Sequence, residues 1–213
     1  MDKIYNGIAI FGEMGAGKDA LAEQICALRQ NSIIYKMSVL CREMMKVSKV
    51  NPMWLGMERY IGQTVADRFR ELDINIMCDY LLALIYERGQ RKYGWDNSGL
   101  EGEAYNKALL EQLSLMRNDE LSIIVGGRTL TDFHYWEGKQ YLIIGVKVSE
   151  EVKRNRLIAR DGERTVNNSS SEHNTEVDVS HIVNNLCHEI IINDGTLIDL
   201  KRKAERMLLT HNF

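Results

Sequence analysis

The chain has 213 residues, enough for one domain with a single buried core. Hydrophobic residues make up 45% and charged residues 27%, with 16 Gly and one Pro, which excludes disordered, collagen-like and low-complexity classes. The formal net charge of -3 argues against broad nonspecific binding to nucleic acid or to anionic membranes. We therefore expect a globular chain with no stable nucleic-acid partner.

Cysteine usage and the apolar runs set the expected compartment. The four cysteines form no Cys-x-x-Cys pair, and a chain of this length does not need disulfides for stability, so a reducing environment is favoured. The N-terminal apolar run is too short for a signal peptide, and no apolar stretch reaches 18 residues. The sequence thus predicts a cytoplasmic protein without a membrane span.

Five short segments rich in Ile and Val are predicted as buried strands. In chain order they are residues 8–11, 33–37, 122–125, 141–148 and 189–192. Helical spacing occupies the stretches between them, for example after Thr196, which begins a Thr-x-x-Asp capping pattern with Asp199. Strands that alternate with helices predict an α/β fold with a parallel sheet.

The sequence predicts a single domain over residues 1–213, with two special segments. Residues 89–120 have no strand signal and are predicted as a loop followed by a helix around residues 104–116, outside the sheet. Residues 162–175 almost lack large apolar side chains and are predicted as a mobile loop. Together with the preceding charged helix they suggest a short lid over about residues 153–175.

A glycine-rich segment, GEMGAGKD at residues 12–19, follows the first predicted strand directly and precedes a helical pattern. Glycines at this spacing let backbone N–H groups surround phosphate oxygens at a helix N-terminus, and the lysine adds a mobile positive charge. The alternative is a tight strand-to-helix turn with an incidental lysine. The residues predicted to contact the phosphates are Gly12, Met14, Gly15, Ala16, Gly17, Lys18, Asp19 and Ala20.

Asp19 stands where this loop pattern usually has Ser or Thr. A carboxylate beside phosphates is tolerable when Mg²⁺ lies between them, so Asp19 is predicted as the metal ligand. The alternative is that Asp19 only stabilises the positive end of the helix dipole.

Arginines are expected around such a loop, because phosphoryl transfer requires charge to be spread off the transferred group. Arg128 follows the third predicted strand at the sheet edge where open α/β folds bind ligands. Arg156 and Arg160 lie one turn apart on the helix that enters the lid. The alternatives are a surface arginine for Arg128, and a solvated face paired with nearby glutamates for the other two.

A second group of basic residues precedes the insert. Arg68 and Arg70 lie on a helix with an apolar stripe and could face an acceptor phosphate, and Arg42 is a weaker candidate in the helix after the second strand. Each could equally be a surface residue.

Four local matches, at residues 12–19, 62–85, 173–176 and 192–197, resemble the bacteriophage-type deoxynucleoside monophosphate kinases in the expected order. That family lies within the P-loop nucleotide kinases that include dephospho-CoA kinase. The resemblance implies a three-layer α/β/α P-loop fold with a five-stranded parallel sheet, a helical acceptor-side region and a short lid. It also implies ATP as donor, Mg²⁺ as cofactor and a nucleoside monophosphate as acceptor.

The resemblance further implies roles for single residues. It would place Lys18 on the transferred phosphate, Arg68 and Arg128 near the acceptor, and Arg156 and Arg160 in the lid. The turn at residues 193–196, with Asn193 and Gly195, would lie beside the adenine.

One departure from the family pattern concerns the end of the third strand. Such kinases usually carry an acidic residue there, whereas this chain has Gly126 and Gly127. Asp19 would then act alone at the metal, or Asp132 would substitute from the next turn. The open alternatives to a monophosphate kinase are a kinase of dephospho-CoA or another small metabolite, an ATP-binding module without turnover, and a polynucleotide-end kinase, which the net charge of -3 disfavours. The chain is expected to be a monomer or homodimer.

Overall fold

A computed structural model describes residues 4–161 and 174–213. Its five strands are β1 (Gly7–Gly12), β2 (Ser32–Lys36), β3 (Leu121–Gly127), β4 (Tyr141–Lys147) and β5 (Glu189–Ile192). Every neighbouring pair is parallel, and the strand order is β2-β3-β1-β4-β5. The predicted five-stranded parallel sheet is confirmed, with the glycine-rich segment following its central strand.

The helices of the described part connect these strands and cover both faces of the sheet. They are α1 (Lys18–Leu28), α2 (Val39–Met45), α3 (Glu58–Leu72), α4 (Ile76–Tyr93), α5 (Gly102–Asp119), α6 (Leu130–Gly138), α7 (Glu150–Asp161), α8 (Asn174–Asn185) and α9 (Leu197–Thr210). Among the helices that the structure describes, none combines the length and the apolar character needed to cross a bilayer.

Alternate side chains of β1 enter two different hydrophobic clusters, because successive strand residues point to opposite faces. Ile8 and Ile10 pack with α1 and α9 on one face. Ala9 and Phe11 lie in the cluster that α4, α5, α6 and α8 bury on the other. This burial on both faces explains why the strands read as continuous apolar runs, and it fixes the sheet edge at which the loops gather.

The segment predicted as an insert covers one face of the sheet. Helix α4 extends to Tyr93, beyond the start of the predicted loop, and α5 spans Gly102–Asp119 and buries Leu109 and Leu113. Trp95, buried, stacks on Tyr93 with ring centroids 6.1 Å apart and lies directly against Gly89. The loop around Trp95 is therefore anchored by aromatic packing.

The predicted lid falls partly outside the described residues. Helix α7 carries its first part, from residue 153, and residues 162–173 are not described. The predicted loop ends earlier than expected, because residues 174 and 175 already belong to α8. The predicted mobility of residues 162–173 and the predicted role of the Arg160 side chain lie outside what the structure describes and stay predictions.

Candidate functional site

The glycine-rich loop joins β1 to α1 through backbone conformations that favour glycine. Gly15 has a φ of 83° and Gly17 a φ of 94°, both in the left-handed region that L side chains rarely adopt. Gly17 is the residue before α1 and has no side chain to cap it. The first N–H groups of an α-helix point out of its N-terminus, a geometry that suits an anion.

Lys18 folds back over this loop. Its Nζ donates hydrogen bonds to the backbone oxygens of Gly12, at 2.6 Å, and Glu13, at 2.9 Å. The ammonium group is therefore held at the start of α1, where the helix dipole is also positive. The arrangement brings two sources of positive potential to one place.

Helix α7 lies against the same loop. Lys153 Nζ is 2.7 Å from a carboxylate oxygen of Glu13, and Leu157 packs against Gly15. Burial alone would lower the pKa of Lys153, but its hydrogen bonds to Glu13 and Glu150 outweigh that effect and raise the pKa. Lys153 therefore stays charged and fastens α7 to the loop.

Arg156, one turn from Lys153, points a guanidinium nitrogen towards the loop. A methyl group on Gly17 would lie 3.7 Å from Arg156 Nη1. That nitrogen is buried and has no hydrogen-bond partner within the part of the chain that the structure describes. A buried donor without a partner is costly, so an anionic ligand at the loop would supply what Arg156 lacks.

The turn after β5 reaches the loop from the other side. Asn193 Nδ2 donates to the backbone oxygen of Ala16 at 2.8 Å, and Asp194 Oδ1 accepts from the N–H of Ser149 at 2.6 Å. Gly195 and Thr196 are exposed. The structure thus brings Asn193 to the loop, whereas its predicted contact with adenine stays a prediction.

Asp19, the predicted metal ligand, lies on the exposed side of α1. Its carboxylate is 2.5 Å from Nζ of Lys36, at the end of β2. No three acidic, His or Cys side chains come together as a metal site within residues 4–161 and 174–213. One carboxylate nevertheless fits Mg²⁺ that is bound mainly by nucleotide phosphates and water.

Arg70 and Asp132, which are far apart in the sequence, form an ion pair near the end of β3. Asp132 is 1% exposed, and its Oδ2 accepts hydrogen bonds from the N–H groups of Arg128, at 2.8 Å, and Thr129, at 3.1 Å. Arg70 Nη2 lies 3.5 Å from the same oxygen, and Arg70 Nε is buried without a partner among the described residues. These partners hold Asp132 in a capping box of α6 and argue against its use at a metal.

Arg68 and Arg42 are both exposed. The Arg68 side chain is 73% exposed and bonds to Glu71 at 2.7 Å and 2.9 Å, and Arg42 is exposed at the end of α2. Their predicted contacts with an acceptor stay predictions.

The glycines at the end of β3 have a packing reason. A methyl group on Gly127 would lie 2.4 Å from the ring of Phe11, and Gly126 has a φ of 100°. Phe11 thus excludes a carboxylate side chain at position 127, and backbone conformation disfavours one at position 126. The absence of an acid from these two positions follows from the fold.

Comparison with known proteins gives structural matches alone, since no family model and no curated protein sequence matches the chain. A Thermus thermophilus protein is 17% identical, with a TM-score of 0.47 and coverage of 99% of this chain and 98% of that one. Shikimate kinase from Acinetobacter baumannii is 16% identical, with a TM-score of 0.47 and coverage of 98% and 95%. Dephospho-CoA kinase from Campylobacter jejuni is 11% identical, with a TM-score of 0.45 and coverage of 97% of each chain.

Proposed function

We propose that the protein is an ATP-dependent kinase that phosphorylates a small metabolite, with a deoxynucleoside monophosphate as the first acceptor to test. The observation that carries this proposal is that the Lys18 ammonium and Arg156 Nη1, which has no hydrogen-bond partner among the described residues, converge on one helix N-terminus. A polyphosphate is the ligand whose charge and oxygen spacing suit such a site.

The loop residues would act mainly by position. The N–H groups at the start of α1 would bind the phosphate oxygens, and Lys18 would exchange its two backbone partners for the outer phosphates. Arg156 would add hydrogen bonds to the oxygens that gain charge during transfer. Each group is already beside the loop, so little reorganisation is required.

Asp19 is the residue that would hold Mg²⁺ in this site. When bound, the metal would neutralise charge on the nucleotide phosphates. The Asp19 carboxylate must first separate from Lys36, and an exposed ion pair of this kind is weak enough to be exchanged.

On the acceptor side, Arg70 has the strongest support. It is 18% exposed, and its Nε lacks a partner in the described part of the chain. The backbone N–H of Arg128 bonds to the same Asp132 oxygen that Arg70 Nη2 contacts, so both residues lie at this end of β3, where a monophosphate would bind. An acceptor that already carries a phosphate is favoured for this reason.

The second candidate is an ATP-binding module that does not transfer phosphate. It is favoured by the glycines at the end of β3, because no carboxylate from that position can assist Asp19. The proposed kinase requires that Asp19 alone be sufficient.

A coupled assay for ADP release distinguishes the two. Wild-type protein with ATP and Mg²⁺ should release ADP only when a suitable acceptor is added, from a panel of nucleoside and deoxynucleoside monophosphates, dephospho-CoA and shikimate. Lys18→Ala serves as the control for contaminating kinases. ATP binding without acceptor-dependent turnover would favour the module, and absence of ATP binding would contradict both.

A further inference from the structure

The buried side chain of Asn193 joins two distant parts of the chain. The residue follows β5 and is 5% exposed, and its Nδ2 donates to the backbone oxygen of Ala16, 177 positions earlier, at 2.8 Å. We infer that Asn193 is a positioning residue that sets the orientation of the peptide between Ala16 and Gly17 in the glycine-rich loop. This inference rests on the proposed function, because it concerns how that loop binds a polyphosphate.

Because the peptide bond is planar, the hydrogen bond from Asn193 to Ala16 also orients the following N–H group. In a trans peptide the carbonyl oxygen and the following N–H point in opposite directions. Holding the oxygen of Ala16 towards Asn193 therefore turns the N–H of Gly17 away from Asn193. This N–H lies directly before α1, where N–H groups are predicted to bind phosphate.

Close contact with Gly17 restricts the same peptide further. A methyl group on Gly17 would lie 2.2 Å from Asn193 Nδ2, so the asparagine amide occupies the space that any larger residue would need. Both the left-handed φ of Gly17 and the position of Asn193 thus require that residue 17 lack a side chain. The loop conformation is fixed by a contact as well as by its own glycines.

Asn193 is itself held firmly. Its backbone N–H donates to the oxygen of Lys147 at 2.7 Å, which continues the pairing of β5 with β4. The next residue, Asp194, binds the N–H of Ser149, and Thr196 begins a capping box that starts α9. A side chain anchored on both sides is able to fix the loop.

This geometry separates two roles for the turn. A residue that recognises adenine would discriminate between bases, whereas a residue that orients the loop would affect every polyphosphate equally. Because Asn193 is buried and its amide is bonded to Ala16, the second behaviour is expected of it.

The test compares Asn193→Ala and Asn193→Asp with wild-type protein, using titration calorimetry with ATP, GTP and inorganic tripolyphosphate. Removal of one hydrogen bond should weaken ATP and tripolyphosphate by the same factor, about five- to tenfold, and leave the ratio of ATP to GTP affinity unchanged. Asn193→Asp should weaken both further, because its carboxylate would face the oxygen of Ala16 and add negative charge near the phosphates.

Asn97→Ala is the matched control. Asn97 is also 5% exposed and exchanges hydrogen bonds with Gln112 at 3.1 Å and 2.7 Å, and neither is part of the loop or of the 193–196 turn. This variant should lose stability without a change in either affinity. If Asn193→Ala does not fold, the nearly isosteric Asn193→Asp carries the test.

The outcomes separate this inference from the proposed function. A wild-type protein that binds neither ATP nor tripolyphosphate would overturn both. If the wild-type protein binds both ligands, two results would overturn the inference and leave the proposed function standing. The first is a changed ratio of ATP to GTP affinity in the Asn193 variants, and the second is unaltered tripolyphosphate binding by these variants.

Discussion

The glycine-rich loop and the helices proposed to lie on the acceptor side are built in different ways. Around the loop, Lys18, Lys153 and Asn193 each make defined contacts within 2.9 Å. On α3, Arg68 points to solvent, and the segment before that helix exposes large apolar side chains, including Val50 at 85%. The side proposed to bind the donor is held by these contacts, whereas on the side proposed for the acceptor Arg68 and the apolar side chains of this segment are exposed.

This difference shows which features of the molecule can be predicted from residues that are neighbours in the sequence. The loop conformation depends on glycines and a lysine that are neighbours in the chain. Whether Arg68 and Arg70 are exposed or buried depends on their partners. Arg70 contacts the buried carboxylate of Asp132, 62 positions away, whereas Arg68 pairs with Glu71 one turn along its own helix.

Replacing Lys18 by Ala should have the largest effect, because it removes the mobile charge from the side proposed to bind the donor. We expect kcat/KM of phosphoryl transfer to fall about 10²–10³-fold, as when a main transition-state donor is lost. Steady-state ADP release measures it, with the far-UV circular dichroism of the variant confirming its fold. Activity within a factor of three of wild type would remove Lys18 from the account.

Arg70→Ala should raise the KM for the acceptor by about 10- to 100-fold, since a charged hydrogen bond is worth about 1.5–3 kcal/mol. Arg68→Ala is the matched control two residues away, and its kinetics should stay within twofold of wild type. Initial-rate measurements at saturating ATP compare them. The reverse order of effects would show that the outward arginine, and not the inward one, meets the acceptor.

Asp132→Asn should destabilise the fold by about 1–2 kcal/mol, because it weakens a helix cap and leaves Arg70 without its ion pair. Asp199, in the second capping box, is the comparison. Hydrogen bonds from Thr196 lower the pKa of Asp199, so its contribution is present above the unfolded pKa and is lost as the pH falls through the folded pKa.

Urea unfolding at pH 7 should therefore show a smaller loss for Asp199→Asn than for Asp132→Asn. Repeating the series at acid pH should reduce the difference between Asp199→Asn and wild type. A difference that grows on acidification would contradict the assigned direction of the pKa.

Lys36→Ala should have the smallest effect of these substitutions, and it should favour activity instead of impairing it. Removing the partner of Asp19 frees the carboxylate, so the Mg²⁺ concentration needed for half-maximal activity should fall about two- to fivefold, in line with the energy of an exposed ion pair. Activity measured across Mg²⁺ concentrations at fixed ATP tests this. A higher Mg²⁺ requirement would instead show that Lys36 itself binds the nucleotide.

Much of the fold could be predicted from the sequence, because its strands are short apolar runs and its glycines have the spacing of a phosphate-binding loop. All five predicted strands are present, with ends that differ from the prediction by at most two residues, and the capping box at Thr196 and Asp199 is confirmed. These features depend on neighbours in the chain. Helical spacing in the sequence does not predict the course of the chain around Trp95, because aromatic packing positions that loop.

The candidate site was less predictable, because several of its contacts join residues far apart. The pairing of Asp19 with Lys36 and that of Glu13 with Lys153 carry no local signal. Asn193 could be singled out from its motif, but the bond to Ala16 requires knowledge of where β5 lies in the sheet. The need for glycine at position 127 likewise becomes clear only when Phe11 is known to lie on the neighbouring strand.

Titration calorimetry of wild-type protein and Lys18→Ala with ATP tests most directly whether the loop before α1 binds a polyphosphate. Wild-type protein should bind one ATP per chain in a saturable manner, and Lys18→Ala should bind it far more weakly while remaining folded. Absence of saturable binding to the wild type, or equal affinity in the two proteins, would contradict the account.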